Sequence, residues 1–258
     1  TGGRGITVSG DRAYMLSPWP GLQVVDINDP AHPAEISTMT YYATANELAL
    51  HENTAYIADG ESLVVVDMTD PDNPLSQGDV KTAGWLNGVA VNQNIAVVSV
   101  GSAGIQVLDI SQAQTPAIIA SLELDGYANH AVIEGQWAYI ACGSGGIKIV
   151  DISEPAAPIV IGSVSTPGAA QHLLKSGNYL YVAAGESGIQ VIDLQNRSRP
   201  KIIGSVDTPG YARKIALAND AIYVADDHAG VQIVDVHTPS KPVLIASART
   251  QAGAGGIT

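Results

Sequence analysis

Two imidazoles and one carboxylate stand out among the groups able to do chemistry in this 258-residue chain: His130, His172 and Glu47. Two histidines and a carboxylate suit a transition-metal dication. Imidazoles at a solvated surface more often serve as hydrogen-bonding groups, so no metal is assigned and the three stand only as candidate ligands. Each directly follows a side-chain amide, in Asn46-Glu47, Asn129-His130 and Gln171-His172. The same polar position recurs as Arg4, Asn87 and Arg213, the last followed by Lys214. A recurring polar position whose next residue varies from copy to copy is where a specific binding site can arise in an otherwise regular frame.

Aromatic residues form the second candidate set. Trp19, Tyr41, Tyr42, Trp85, Tyr127 and Tyr211 offer rigid amphipathic surface suited to a peptide, glycan or protein partner. Trp85, Tyr127 and Tyr211 share one repeat position, so sealing of adjacent units competes with partner contact as their role. Cys142 has no second cysteine to pair with and reads as a small filler. The run Gly143-Ser144-Gly145-Gly146 lacks the Lys-Ser/Thr of a phosphate loop, and Asp226-Asp227-His228 and Asp59-Gly60-Glu61 lack the alternation of a calcium loop. No nucleophile elbow, zinc helix or dinucleotide fingerprint occurs, and neither a catalytic residue nor a cofactor is assigned.

These residues are carried by an internal repeat. Gly21-Leu22-Gln23-Val24-Val25-Asp26, Gly104-Ile105-Gln106-Val107-Leu108-Asp109 and Gly188-Ile189-Gln190-Val191-Ile192-Asp193 are copies of one motif, and further copies end at Asp67, Asp151 and Asp235. Successive aspartates stand 41 or 42 residues apart, and each is followed seven positions later by a proline: Pro33, Pro74, Pro116, Pro158, Pro200 and Pro242. Six equivalent carboxylates spread around a ring do not make one active site. Each closes a strand before a loop rich in Asp, Ser and Pro, which suits an Asx-type turn.

Within each copy, β-branched residues interrupted by turn residues every five to eight positions predict four short strands. Both sides of the middle strands are apolar, so both need cover. Radial stacking of small sheets supplies it, and the expected fold is all-β: a six-bladed β-propeller of four-stranded antiparallel blades. One domain spans 1–258, with blades near 1–40, 41–81, 82–123, 124–165, 166–207 and 208–249, and 250–258 as the start of a further repeat or a closing segment. Tyr14, Tyr56, Tyr139, Tyr181 and Tyr223, with Val97 in the third copy, hold one position of the second strand and are expected to pack between blades. Thr166-Pro167-Gly168 and Thr208-Pro209-Gly210 suit type II turns at the crossings. Because Ala254-Gly255-Gly256-Ile257-Thr258 aligns with Gly3-Arg4-Gly5-Ile6-Thr7, two segments compete for one inner position, and the N-terminal one is expected to close the ring with the C-terminal one displaced.

The apolar-apolar-Asp cores, from Val24-Val25-Asp26 and Val65-Val66-Asp67 to Ile149-Val150-Asp151 and Ile233-Val234-Asp235, resemble the LVIVD repeat. That resemblance covers nearly the whole chain. It implies a propeller framework without a catalytic motif, in proteins that are often exported or attached to the cell surface.

Charge and composition bound the partners. The 25 acidic against 12 basic residues leave a net charge of −13, which repels phosphate backbones and acidic lipid surfaces, so nucleic acid is excluded as a partner. No apolar run has the length to span a bilayer, which argues against direct membrane insertion. The expected function is a noncatalytic extracellular or cell-surface propeller that binds a protein or glycan through its channel-mouth face, as part of a longer chain or assembly where one exists. Two alternatives stand beside it: a hydrolase or lyase at the mouth using Glu47, His130 and His172, and a structural block of a larger array.

Overall fold

The computed structural model describes residues 5–17, 20–40, 44–251 and 253–258. They form six four-stranded antiparallel sheets and, among the described residues, no helix. The chain is a six-bladed β-propeller in which each sheet is one blade and its strands follow chain order from the channel outward.

The fifth blade shows how the repeat becomes a sheet. Its strands are His172–Ser176, Tyr179–Ala183, Ile189–Asp193 and Lys201–Val206. Val182, Val191 and Ile192 on the middle strands are fully buried, since each face of a blade lies against a neighbour. The third strand meets the fourth across a bulge between Val191 and Ile192, and every blade has a register shift at the equivalent place. Pro200 stands just before the outermost strand, where its missing N–H removes no ladder bond.

The aspartates that mark the repeat are framework groups. In all six, Oδ1 accepts the backbone N–H two residues on: Asn28 to Asp26, Thr69 to Asp67, Ser111 to Asp109, Ser153 to Asp151, Gln195 to Asp193 and His237 to Asp235, at 2.8–2.9 Å. The turn is local and identical in each copy, as expected of an Asx turn. Tyr14, Tyr56, Tyr139, Tyr181 and Val97 are buried in the inter-blade cores, whereas Tyr223 is only partly buried.

The turns before the crossings differ from expectation. Neither Gly168 nor Gly210 has φ in the left-handed region, so neither turn is type II. Glycine is required there by contact instead: a Cβ would meet the Ala184 carbonyl oxygen at 2.1 Å from Gly168 and the Asp226 carbonyl oxygen at 2.1 Å from Gly210.

One junction of the ring is unlike the other five. Buried apolar clusters join each blade to the next from the first through the sixth. Among the described residues none joins the sixth to the first. Each joined interface sets the tyrosine side of one blade against the opposite side of the next; at the last of them Tyr181, Ile189 and Val191 meet Ile215, Val224 and Val234. The matching residues at the odd junction are Tyr223, Val231 and Ile233 on the sixth blade and Ile6, Met15 and Val25 on the first, and all six are only partly buried.

As expected, Gly5–Ser9 takes the inner position of the first blade and, among the described residues, the C-terminal stretch forms no strand, but that stretch stays at the channel and does not leave it. Ala254 exchanges backbone hydrogen bonds with Asp227 at 2.8 and 3.2 Å, the pairing by which Ala128, Ala170 and Ala212 meet Gly101, Gly143 and Gly185 just before an inner strand starts. Ile257 and Thr258 then line the channel together with Gly5, Ile6 and Ile215.

Candidate functional site

The innermost strands are Gly5–Ser9, Ala45–His51, Gly88–Asn92, His130–Glu134, His172–Ser176 and Lys214–Ala218. Pairing with the second strand fixes a common register. Gly5, Glu47, Gly88, His130, His172 and Lys214 sit opposite Leu16, Ala58, Ser99, Ala141, Ala183 and Ala225, so they are one position repeated six times around the channel. The residue before each is the amide-or-arginine position of the sequence.

That preceding position stitches the blades together. Nδ2 of Asn46, Asn87 and Asn129 donates to the backbone carbonyl of Leu86, Ala128 and Ala170 in the next blade, at 2.7, 3.0 and 2.9 Å. Gln171 turns back to the Ala169 carbonyl, at 3.4 Å. Arg213 instead pairs with Asp227 at 2.7 Å and lies over the Tyr211 ring. With Lys214 and Gly255, these side chains surround a mouth cavity of about 400 Å³. A channel cavity of about 480 Å³ has Glu47, His130 and His172 in its lining too, so the three form the waist between mouth and channel.

At that waist Glu47 Oε1 lies 3.1 Å from His130 Nε2, and the His130 and His172 rings stack with centroids 3.8 Å apart. Both histidines are 8% exposed, and Nδ1 of each is buried without a hydrogen-bond partner. Burial alone would raise the Glu47 carboxyl, but the His130 imidazole, Lys214 and the Val89 N–H outweigh it and hold the carboxyl below the usual range. Burial pushes His172 well below the ordinary histidine value, and His130 and Lys214 act in the same direction. The carboxylate is therefore ionised and the His172 ring neutral at pH 7.

Glu47 belongs to the second blade and His130 to the fourth. Gly88 between them makes the contact geometrically open: a Cβ there would meet Glu47 Oε2 at 2.7 Å and the His130 Cα at 3.2 Å. Glu47 Oε2 also accepts the Val89 N–H at 3.3 Å, which orients the carboxylate. Neither Gly88 nor Lys214 follows from a motif, but both are legible once the six inner strands are aligned on one column.

The aromatic set divides. Trp85 and Tyr127 are 46% and 48% exposed, while Tyr211 is partly buried. The Tyr127 ring packs so closely on Gly101, and the Tyr211 ring on Gly185, that a Cβ at either glycine would meet it at under 3 Å. Each therefore caps a loop of the preceding blade with one part of the ring, and Tyr127 leaves the rest in solvent. Arg4, Trp19, Tyr41 and Tyr42 lie outside the described residues. Cys142 is fully buried in an apolar cluster and its thiol is pushed up to about 12 by burial, as befits a filler.

Several solved structures share the fold. The chain is similar to a protein from Lactobacillus plantarum (17% identity, TM-score 0.85, covering 98% of this chain and 86% of that one). It is also similar to the computationally designed Ika8 protein (12%, TM-score 0.73, 97% and 76%) and to the RRP9 WD40 repeats (11%, TM-score 0.74, 96% and 80%). At these identities the likeness is one of fold. No sequence among curated proteins matches the chain significantly. The LVIVD repeat model matches residues 3–40, 43–82, 125–166, 167–208 and 209–250, while residues 83–124 build the third blade without a match. With most of its length in such repeats, the chain belongs to the LVIVD repeat family.

Proposed function

We propose that this propeller is a noncatalytic module that binds a protein partner through its channel-mouth face. The carrying observation is the pair Trp85 and Tyr127, which hold equivalent crossing positions of adjacent blades and keep about half their surface in solvent. Exposed aromatics beside a ring of amides give rigid contact with little conformational entropy to lose. The Asn46, Asn87 and Asn129 amides contribute to this face mainly by holding the blades in place, because their N–H groups already serve the next blade. The family resemblance favours an extracellular or cell-surface setting for this reading.

The test is selection of a displayed peptide library on the immobilised chain, run beside a glycan array. Trp85→Ala and Tyr127→Ala should each weaken the selected ligand by roughly tenfold or more, with Tm within about 2 °C for Trp85→Ala and lower by only a few degrees for Tyr127→Ala, whose ring also caps Gly101. Equal loss of binding and Tm would make these residues packing groups and overturn the reading; glycan hits without peptide hits would replace the partner class.

A further inference from the structure

We propose that Glu47, His130 and His172 bind one transition-metal dication of the Zn2+ type at the channel waist. One donor atom from each residue lies within 4.8 Å of the other two. Two imidazoles and one carboxylate favour zinc, cobalt, nickel or copper over calcium or magnesium, which take all-oxygen sets.

Two features beyond donor identity support a metal site over a simple ion pair. The first is the pair of buried ring nitrogens without partners, Nδ1 of His130 and of His172, an exception among buried polar groups that an ion bound at either Nδ1 would relieve. The second is Gly88, whose missing side chain lets Glu47 lie across the third blade to His130. Lys214, at the same register, is the opposing cation. Three protein donors leave a coordination position open, which an anion or hydroxide entering from the adjoining cavities completes.

The experiment uses the purified chain stripped with a chelator and then dialysed against Zn2+ or Co2+, with no partner present, so its result is independent of the mouth-binding reading. About one equivalent of Zn2+ per chain is expected, with a Co2+ visible spectrum of four- or five-coordinate type. His172→Ala, Glu47→Gln and Gly88→Ala should each weaken binding by roughly tenfold or more, whereas His237→Ala, at the exposed pair with Asp220, should leave it unchanged. Near-UV circular dichroism identifies any variant that fails to fold, and Glu47→Gln, which keeps size and shape, then carries the test. Stoichiometry no higher than in the His130→Ala/His172→Ala double variant, or a purely octahedral Co2+ spectrum, would overturn the site.

Discussion

Asp227 sits 2.7 Å from Arg213 with a φ of 49°, in the place where three earlier blades put Gly101, Gly143 and Gly185. Two residues change together in the sixth blade. Asn129 donates across the blades, while Arg213, its equivalent, holds an acid on its own blade.

The pair sets two effects of similar size against each other. A half-exposed ion pair contributes at most about 1 kcal/mol, and a left-handed non-glycine residue costs roughly the same. Asp227→Gly removes both and should change stability by under about 0.5 kcal/mol. Asp227→Ala loses the pair and keeps the strain, so it should unfold more easily than Asp227→Gly by about 1 kcal/mol in urea titrations. Equal midpoints for the two variants would mean that the backbone here carries no strain.

Much of the fold was legible because a repeat reports the same information six times. The Asp and Pro columns located every third and fourth strand, and the tyrosine column located the inter-blade cores. The site was legible only in part. Glu47, His130 and His172 were visible as residue types, but their meeting depends on the absence of a side chain at Gly88, which carries no chemical signal of its own. The Asn46, Asn87 and Asn129 bridges were open to inference, since an amide kept at one register through successive repeats serves what the repeats have in common, their junctions. The Gly168 and Gly210 turns misled because Pro-Gly suits type II geometry, yet here a backbone approach sets the demand.

Asp226 makes stability depend on pH in a direction opposite to most carboxylates. Burial raises its carboxyl, against hydrogen bonds from the Thr208 hydroxyl at 2.7 Å and the Gly210 N–H at 2.9 Å. The unfolded chain therefore ionises first as pH rises. Stability contributed by the protonated acid is fully present below the unfolded value of about 3.9 and is lost as pH climbs through the higher folded value. Asp226→Asn removes the titration. The Tm of this variant minus that of the unsubstituted chain should grow between about pH 3 and about pH 6, and a flat or shrinking difference would show that ionisation at this site carries no penalty.

The junction between the sixth and first blades should be the weak point of the ring, and the repeat provides internally matched probes. Ile149 and Ile233 occupy the same register of the third strand in the fourth and sixth blades. Ile149 is fully buried against the fifth blade, whereas Ile233, on the side of the sixth blade that no buried cluster covers, is only partly buried. Truncating the first removes methyl groups from a closed core and leaves a cavity; truncating the second removes surface already partly wet. Ile149→Ala should therefore cost about 2–5 kcal/mol and Ile233→Ala less than about half as much. The same contrast applies across the junction, where Val25→Ala should cost less than Val234→Ala, its equivalent in the buried cluster between the fifth and sixth blades. Native-state hydrogen exchange supplies a second readout, with amides of Gly5–Ser9 opening at lower free energy than those of His172–Ser176. Matched costs for both substitution pairs, together with uniform exchange around the ring, would mean that the sixth and first blades are sealed in solution as tightly as the other five junctions.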